Sequence, residues 1–304
     1  MDLIEEINRL KVEKKAVILS HNYQLPEIQD IADFVGDSLE LSRTAAATNA
    51  KIIVFCGVHF MAETAKILSP MKTVILPDLR SGCPLANMVS TEDVQKLRQQ
   101  HPNATFVCYI NTSADVKAEC DICCTSSNAV DVVNSVNTEK VVFLPDRNLG
   151  NYVAKQTTKK MIIYNGFCPI HENLKKEDVV GLKNQYPDAK FVAHPECTAD
   201  ILELADKVAS TSGIINYVKT NLAKHFIIGT ETGILHRLKK ENPDKNFIPA
   251  APTMFCQNMK YNNIESLYSA LDNEQPEIEV PEQIREKAFL TIDRMLKKSL
   301  EFRV

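Results

Sequence analysis

The chain has 304 residues, 44% of them apolar, a formal net charge of −4 and no apolar run long enough to cross a bilayer. Its basic residues are scattered and slightly outnumbered, which argues against a nucleic-acid surface; with only nine glycines and neither G-x-G-x-x-G nor G-x-x-x-x-G-K-[ST], classical dinucleotide and P-loop sites are not expected. Nine cysteines, an odd number without the spacing of a small disulfide scaffold, point to metal or redox chemistry.

The N-terminus, MDLIEEINRLKVEKK, is amphipathic and mixed in charge, with no apolar core of a signal peptide, so a cytoplasmic protein is expected. From there helix and strand alternate, which implies parallel sheets covered by helices. The alternation repeats three times. Each third opens with an amphipathic helix: LIEEINRLKVEKK, TEDVQKLRQQHP and KEDVVGLKNQYP. The strands AVILSHNY, FVCYINTS and KFVAHPEC follow, with polar ends at His21-Asn22-Tyr23, Tyr109-Ile110-Asn111 and His194-Pro195-Glu196. A helical segment and a short second strand then lead to Gly36-Asp37-Ser38, Thr125-Ser126-Ser127-Asn128 and Ser210-Thr211-Ser212-Gly213. A third strand (KIIVFCGV, KVVFLPDR, HFIIGTET), a helix and a fourth strand close each unit, and the fourth strand runs into a loop bearing Cys83, Cys168 or Cys256 at near-equal spacing. Two further helices, NNIESLYSAL and PEQIREKAFLTIDRMLKK with Pro281 near its first turn, form a tail.

The expected fold is α/β: three small doubly wound parallel-sheet domains, each a three-layer α/β/α unit, related by a pseudo-threefold axis around a central site. The expected domains are residues 1–84, 85–169 and 170–257, with the tail 258–304 packing back onto the first. Ligands of open parallel sheets sit beyond the carboxyl ends of the strands, where every polar cluster above lies.

Three thiolates from equivalent loops suit a cubane iron–sulfur cluster, which would leave one iron without a protein ligand, free to act as a Lewis acid. The competing reading is three buried apolar cysteines. Cys120, Cys123 and Cys124 form a C-x-x-C without a second half to complete a zinc set and read as structural, as do Cys56 and Cys108 within strands and, less firmly, Cys197. His194 and Glu196, at i and i+2 of a strand end, can face one site as acid and base. They resemble the H-x-E of zinc deaminases, but the P-C-x-x-C partner is missing. Ser38, Ser126 and Thr211, with Ser210 nearby, stand where hydroxyls and helix N-termini bind carboxylate or phosphate oxygens. His171, three residues after Cys168, is a further candidate contact.

Taken together, HNYQLPEIQDIADFVGDSLELSR (21–43), VHFMAETAKIL (58–68), YINTSADVKAECDICCTSSNAV (109–130), PDRNLGNYVA (145–154), GFCPIHE (166–172), HPEC (194–197), GTETGILHRLKKENP (229–243) and CQNMK (256–260) resemble the quinolinate synthase A protein family over essentially the whole chain. The resemblance implies a [4Fe–4S] cluster on Cys83, Cys168 and Cys256 with one open iron. It also implies condensation of iminoaspartate with dihydroxyacetone phosphate to quinolinate, in de novo NAD biosynthesis. Substrate contacts carried over are His21, Ser38, Tyr109, Asn111, Ser126, His194, Glu196 and Thr211, with Tyr23 and Ser210 nearby. Glu196 is the expected base, with Tyr23, Tyr109 and His194 as proton donors or relays. Some members carry extra cysteines around the last ligand; Thr253 stands where one would fall, so disulfide regulation of that kind is not expected. Small molecules are the expected partners, with transient contact to the enzyme producing the short-lived imine. Alternatives are a three-cysteine hydro-lyase on a hydroxy acid and a non-catalytic iron–sulfur sensor, though no output surface for a sensor is evident.

Overall fold

A computed structural model describes residues 2–301. The first unit comprises α1 (Leu3–Glu13), β1 (Ala16–His21), α2 (Pro26–Ile31), β2 (Phe34–Gly36), α3 (Ser38–Ala47), β3 (Ile52–Cys56), α4 (His59–Leu68) and β4 (Thr73–Ile75). The second comprises α5 (Thr91–Gln100), β5 (Thr105–Tyr109), α6 (Ala114–Ala118), β6 (Ile122–Cys124), α7 (Ala129–Ser135), β7 (Lys140–Leu144), α8 (Arg147–Ala154) and β8 (Lys160–Ile163). The third begins with a short helix α9 (Pro169–Glu172) and continues through α10 (Lys176–Gln185), β9 (Lys190–Ala193), α11 (Ala199–Leu202), β10 (Lys207–Val208), α12 (Thr211–Thr220), β11 (His225–Gly229), α13 (Ile234–Glu241) and β12 (Asn246–Pro249). The tail holds α14 (Ile264–Asn273) and α15 (Glu282–Glu301).

Each unit is a four-stranded parallel sheet with the same strand order, second–first–third–fourth. The inner strands are apolar runs because helices cover both faces: every residue of β3 is buried, as are Val141 to Leu144 of β7. The order reverses between the first and third strands, so each sheet has its crevice there, beside the residues that follow β1, β5 and β9.

Two expectations need correction. The sequence pattern carries the first strands through to Tyr23, Ser113 and Cys197, but β1, β5 and β9 stop at His21, Tyr109 and Ala193. In the first and third units the chain turns there because Tyr23 N–H and Glu196 N–H bond back to the imidazoles two residues earlier instead of continuing a ladder. The tail also divides. Its first half meets the first unit, α14 against α1 and β3 and Glu277 bridging Ile75, but α15 lies mainly on α6 and β6 of the second, with an edge on α4. Ala288, Thr291, Ile292, Met295 and Ser299 form its buried stripe, with Thr291 Oγ1 donating to the carbonyl of Lys117 at 3.0 Å. Among the described residues, no helix is long and apolar enough to cross a membrane.

Candidate active site

The three sheets present their carboxyl ends to one cavity of about 240 Å³. It is lined by His21 and Tyr23 after β1, Ser38 at the start of α3, Tyr109 and Asn111 after β5, and Ser126 after β6. His171, His194, Glu196 and Thr211 come from the third unit, and Cys83, Cys168 and Cys256 from the three loops. Ser210 stands apart from the wall. Its hydroxyl caps α12 through Gly213 N–H at 3.2 Å and meets Ser127 Oγ at 2.9 Å.

His21 and His194 are held by the same local device. Tyr23 N–H donates to His21 Nδ1 at 3.2 Å, and Glu196 N–H to His194 Nδ1 at 3.3 Å. A neutral ring that accepts at Nδ1 carries its proton on Nε2. Nε2 of His194 lies 3.2 Å from Ser126 Oγ. Burial pushes His21 down to about 4, opposed only in part by Asp37, and burial likewise lowers His194 against the pull of Glu196. Both rings are therefore neutral N–H donors near pH 7.

Glu196 Oε2 lies 2.9 Å from His171 Nδ1 and 3.4 Å from His194 Nδ1. The latter nitrogen already accepts the backbone N–H, so His171 is the hydrogen-bonded partner. Burial raises Glu196, but the hydrogen bond from His171 outweighs it and the carboxyl is held below its usual range. On its other side His171 Nε2 stands 2.8 Å from Thr230 Oγ1, which is 2.6 Å from Tyr23 OH. Burial raises Tyr23, so its hydroxyl keeps its proton. The donors then run in one direction: Tyr23 O–H to Thr230, Thr230 O–H to His171 Nε2, His171 Nδ1–H to Glu196. Glu196 Oε1 and Asn111 Oδ1 are buried acceptors without a hydrogen-bond partner among the described residues. Leaving such groups unpaired is costly, so the cavity wall is built to meet donors on a ligand.

Cys83, Cys168 and Cys256 are half-buried, whereas the other six cysteines are buried. Burial pushes Cys83 up to about 12 and raises Cys168 and Cys256 as well, so without a cation these are thiols. Donor atoms of Cys168, His171 and Glu196 also lie within 4.8 Å of one another. The remaining cysteines sit inside the units. Cys123 Sγ lies 3.3 Å from Cys108 Sγ across adjacent strands, and the Cys197 thiol donates to the Gly229 carbonyl at 3.4 Å.

The units are tied together where their second strands end. Ser127 Oγ donates to Asp37 Oδ2 at 2.8 Å, joining the second unit to the first, and meets Ser210 of the third. Asp37 also caps α3 in a capping box with Glu40, whose Oε2 accepts from Ser212 Oγ at 2.7 Å. Sequence reasoning noted Asp37 only within the Gly36-Asp37-Ser38 cluster and missed Asp146, Thr230, Glu231 and Lys260. Asp146 and Glu231 follow the third strand of two units, and that recurrence was the available signal.

The family model described as Quinolinate synthetase A protein matches residues 5–297. Quinolinate synthase 1 of Methanosarcina acetivorans is 53% identical over 97% of both chains. The quinolinate synthase of Alkaliphilus metalliredigens is 53% identical over 97% of this chain and 98% of its own, and that of Dehalococcoides mccartyi 52% over 96% and 97%. A match of this extent, on a chain whose three sheets converge on one cysteine-lined cavity, places it: the chain belongs to the quinolinate synthetase A protein family.

Proposed function

We propose that the chain is a quinolinate synthase of de novo NAD biosynthesis, joining iminoaspartate to dihydroxyacetone phosphate and releasing quinolinate, phosphate and two waters. The observation that carries this reading is the single cavity in which three cysteines face a buried, ionised Glu196 whose Oε1 has no hydrogen-bond partner among the described residues.

Cys83, Cys168 and Cys256 fit a [4Fe–4S] cluster. They are the half-buried thiols, each follows the fourth strand of a different unit, and soft thiolates are the donors such clusters take. When bound, a cluster held by three cysteines supplies Lewis acidity from the iron that lacks a protein ligand.

The chain's own groups account for the rest. Ser38 and Thr211 open α3 and α12; the caps Asp37 and Ser210 already take N–H groups of those first turns, so the hydroxyls of Ser38 and Thr211 are the groups offered to an anion. We assign His21 and Ser38 to an iminoaspartate carboxylate, and Ser126, Thr211 and Asn111 to the phosphate or second carboxylate. The neutral Nε2–H of His21 and His194 hydrogen-bonds such oxygens without neutralising them. Carbon–carbon bond formation expels phosphate, proton transfers turn the ketone into a hydroxyl and the neighbouring hydroxymethyl carbon into the aldehyde, and the nitrogen closes the ring on that aldehyde with loss of two waters. Glu196 is the base in these transfers. Tyr23, Tyr109 and His194 return protons, and the line through Thr230 and His171 connects Tyr23 to Glu196. Burial of the site protects the imine from water. Because that imine is short-lived, transient contact with the enzyme that makes it is part of the proposal, as is a cytoplasmic setting.

The test is anaerobic purification, assay of iron and sulfide, and incubation with iminoaspartate and dihydroxyacetone phosphate. About four irons per chain with quinolinate formed is the expected result. One metal ion per chain would favour the Cys168–His171–Glu196 group instead. A cluster without product would move the reading to a hydro-lyase or a sensor.

A further inference from the structure

We propose that Asp146 and Glu231 are positioning residues that hold Cys168 and Cys256 in place for the cluster, acting through the backbone N–H of each cysteine; the proposal rests on the cluster reading above. Each carboxylate stands just past the third strand of its unit, where the chain turns into α8 or α13. Asp146 is 0% exposed and Glu231 1%. Each takes one N–H from its own helix start and one from a cysteine. Asp146 Oδ1 accepts from Leu149 N–H at 2.7 Å and Oδ2 from Cys168 N–H at 3.1 Å. Glu231 Oε2 accepts from Gly233 N–H at 2.7 Å and Oε1 from Cys256 N–H at 3.0 Å. Both oxygens of each side chain accept, which is the geometry of a carboxylate. Burial and the charge of Glu196 raise the Asp146 carboxyl above its ordinary range, and the backbone N–H bonds it receives oppose that rise only in part.

A helix cap alone would be served by a neutral serine or asparagine at lower desolvation cost. The second acceptor oxygen is what the carboxylate adds, and in both units it is spent on the ligand residue. Fixing a cysteine's peptide fixes the direction of its Cα–Cβ bond, and with it the reach of the sulfur. Lys260 Nζ lies 3.0 Å from Glu231 Oε1 and also donates to the Tyr23 carbonyl, tying the Cys256 loop to the first unit.

The Cys83 loop is built differently. Gly57 and Val58 follow β3, so no carboxylate stands at the equivalent position. The loop is held by His59 N–H on the Ser81 carbonyl at 2.7 Å and by Asn258 Nδ2 on the Gly82 carbonyl at 2.8 Å. Asn258 lies two residues beyond Cys256. Glu231 therefore governs two loops, Cys256 directly and Cys83 through Asn258, while Asp146 governs one.

The test is Asp146→Asn. Asparagine caps a helix as well as aspartate, so α8 is retained. Its amide must, however, turn an NH₂ group toward one of the two N–H donors. The apo variant should unfold at the parent's temperature within a few degrees, yet exchange backbone hydrogens faster in the segment around Cys168. After anaerobic reconstitution it should lose iron to a chelator roughly 10–100-fold faster than the parent. Glu231→Gln should show a larger loss and faster exchange around both Cys256 and Cys83, and it carries the test if Asp146→Asn does not fold. Parental exchange and iron retention in the variants would overturn the positioning role and leave the cluster reading intact. A parent that takes up no iron would overturn the cluster reading and this proposal with it.

Discussion

Glu196 keeps its charge in surroundings whose burial alone would remove it, and it does so because His171 donates to Oε2; Oε1 has no hydrogen-bond partner among the described residues. Glu196→Gln preserves shape and removes the base. Quinolinate turnover should fall about 10²–10⁴-fold with iron content unchanged, read by steady-state kinetics beside a metal assay. His21 gives a prediction about stability. Its folded-state value is depressed to about 4 against the usual 6.5, so as pH falls the unfolded chain takes up a proton first. The stabilisation present above about 6.5 is thus lost progressively as pH falls toward about 4. Between pH 7 and 5 this amounts to about 2 kcal/mol. Urea unfolding of the parent and of His21→Gln at both values should show that much less acid sensitivity in the variant.

At the scale of elements, each second strand ends in a helix N-terminus, and Asp37, Ser127 and Ser210 lace those termini together. Asp37→Ala removes both the cap of α3 and the acceptor of Ser127. It should cost about 2 kcal/mol in denaturant unfolding with the slope unchanged. Much of this scale was legible in the sequence. The three helix–strand repeats were readable because amphipathic helices and apolar strands leave strong periodic marks. Ser38, Ser126 and Thr211 stood out because small hydroxyl residues recur at equivalent strand ends. Thr230 left no such mark: a threonine at the end of an apolar strand reads as strand propensity, and only the turn after β1 brings Tyr23 to it. His194 and Glu196 line one cavity, but a turn brings them there and not the pleat of a strand.

At the scale of the whole molecule, α15 was the element whose place could not be read. An amphipathic helix announces that it has an apolar face without saying what covers it, and this one chiefly covers the second unit. Ile292 is fully buried there. Ile292→Ala should lower unfolding free energy by about 2–5 kcal/mol, measured by urea titration of the apo chain. The tail also sets an order of events during synthesis. Chains fold from the N-terminus as they leave the ribosome, and a unit can settle only when all its parts have emerged. The first unit waits for α14 and the second for α15, both near the C-terminal end, whereas the elements of the third are contiguous from α9 to β12. The last of the three sheets to be translated is thus the first that can close, while the first stays unfinished until α14 emerges and the second until α15 does, each with an apolar face open to chaperones in the meantime.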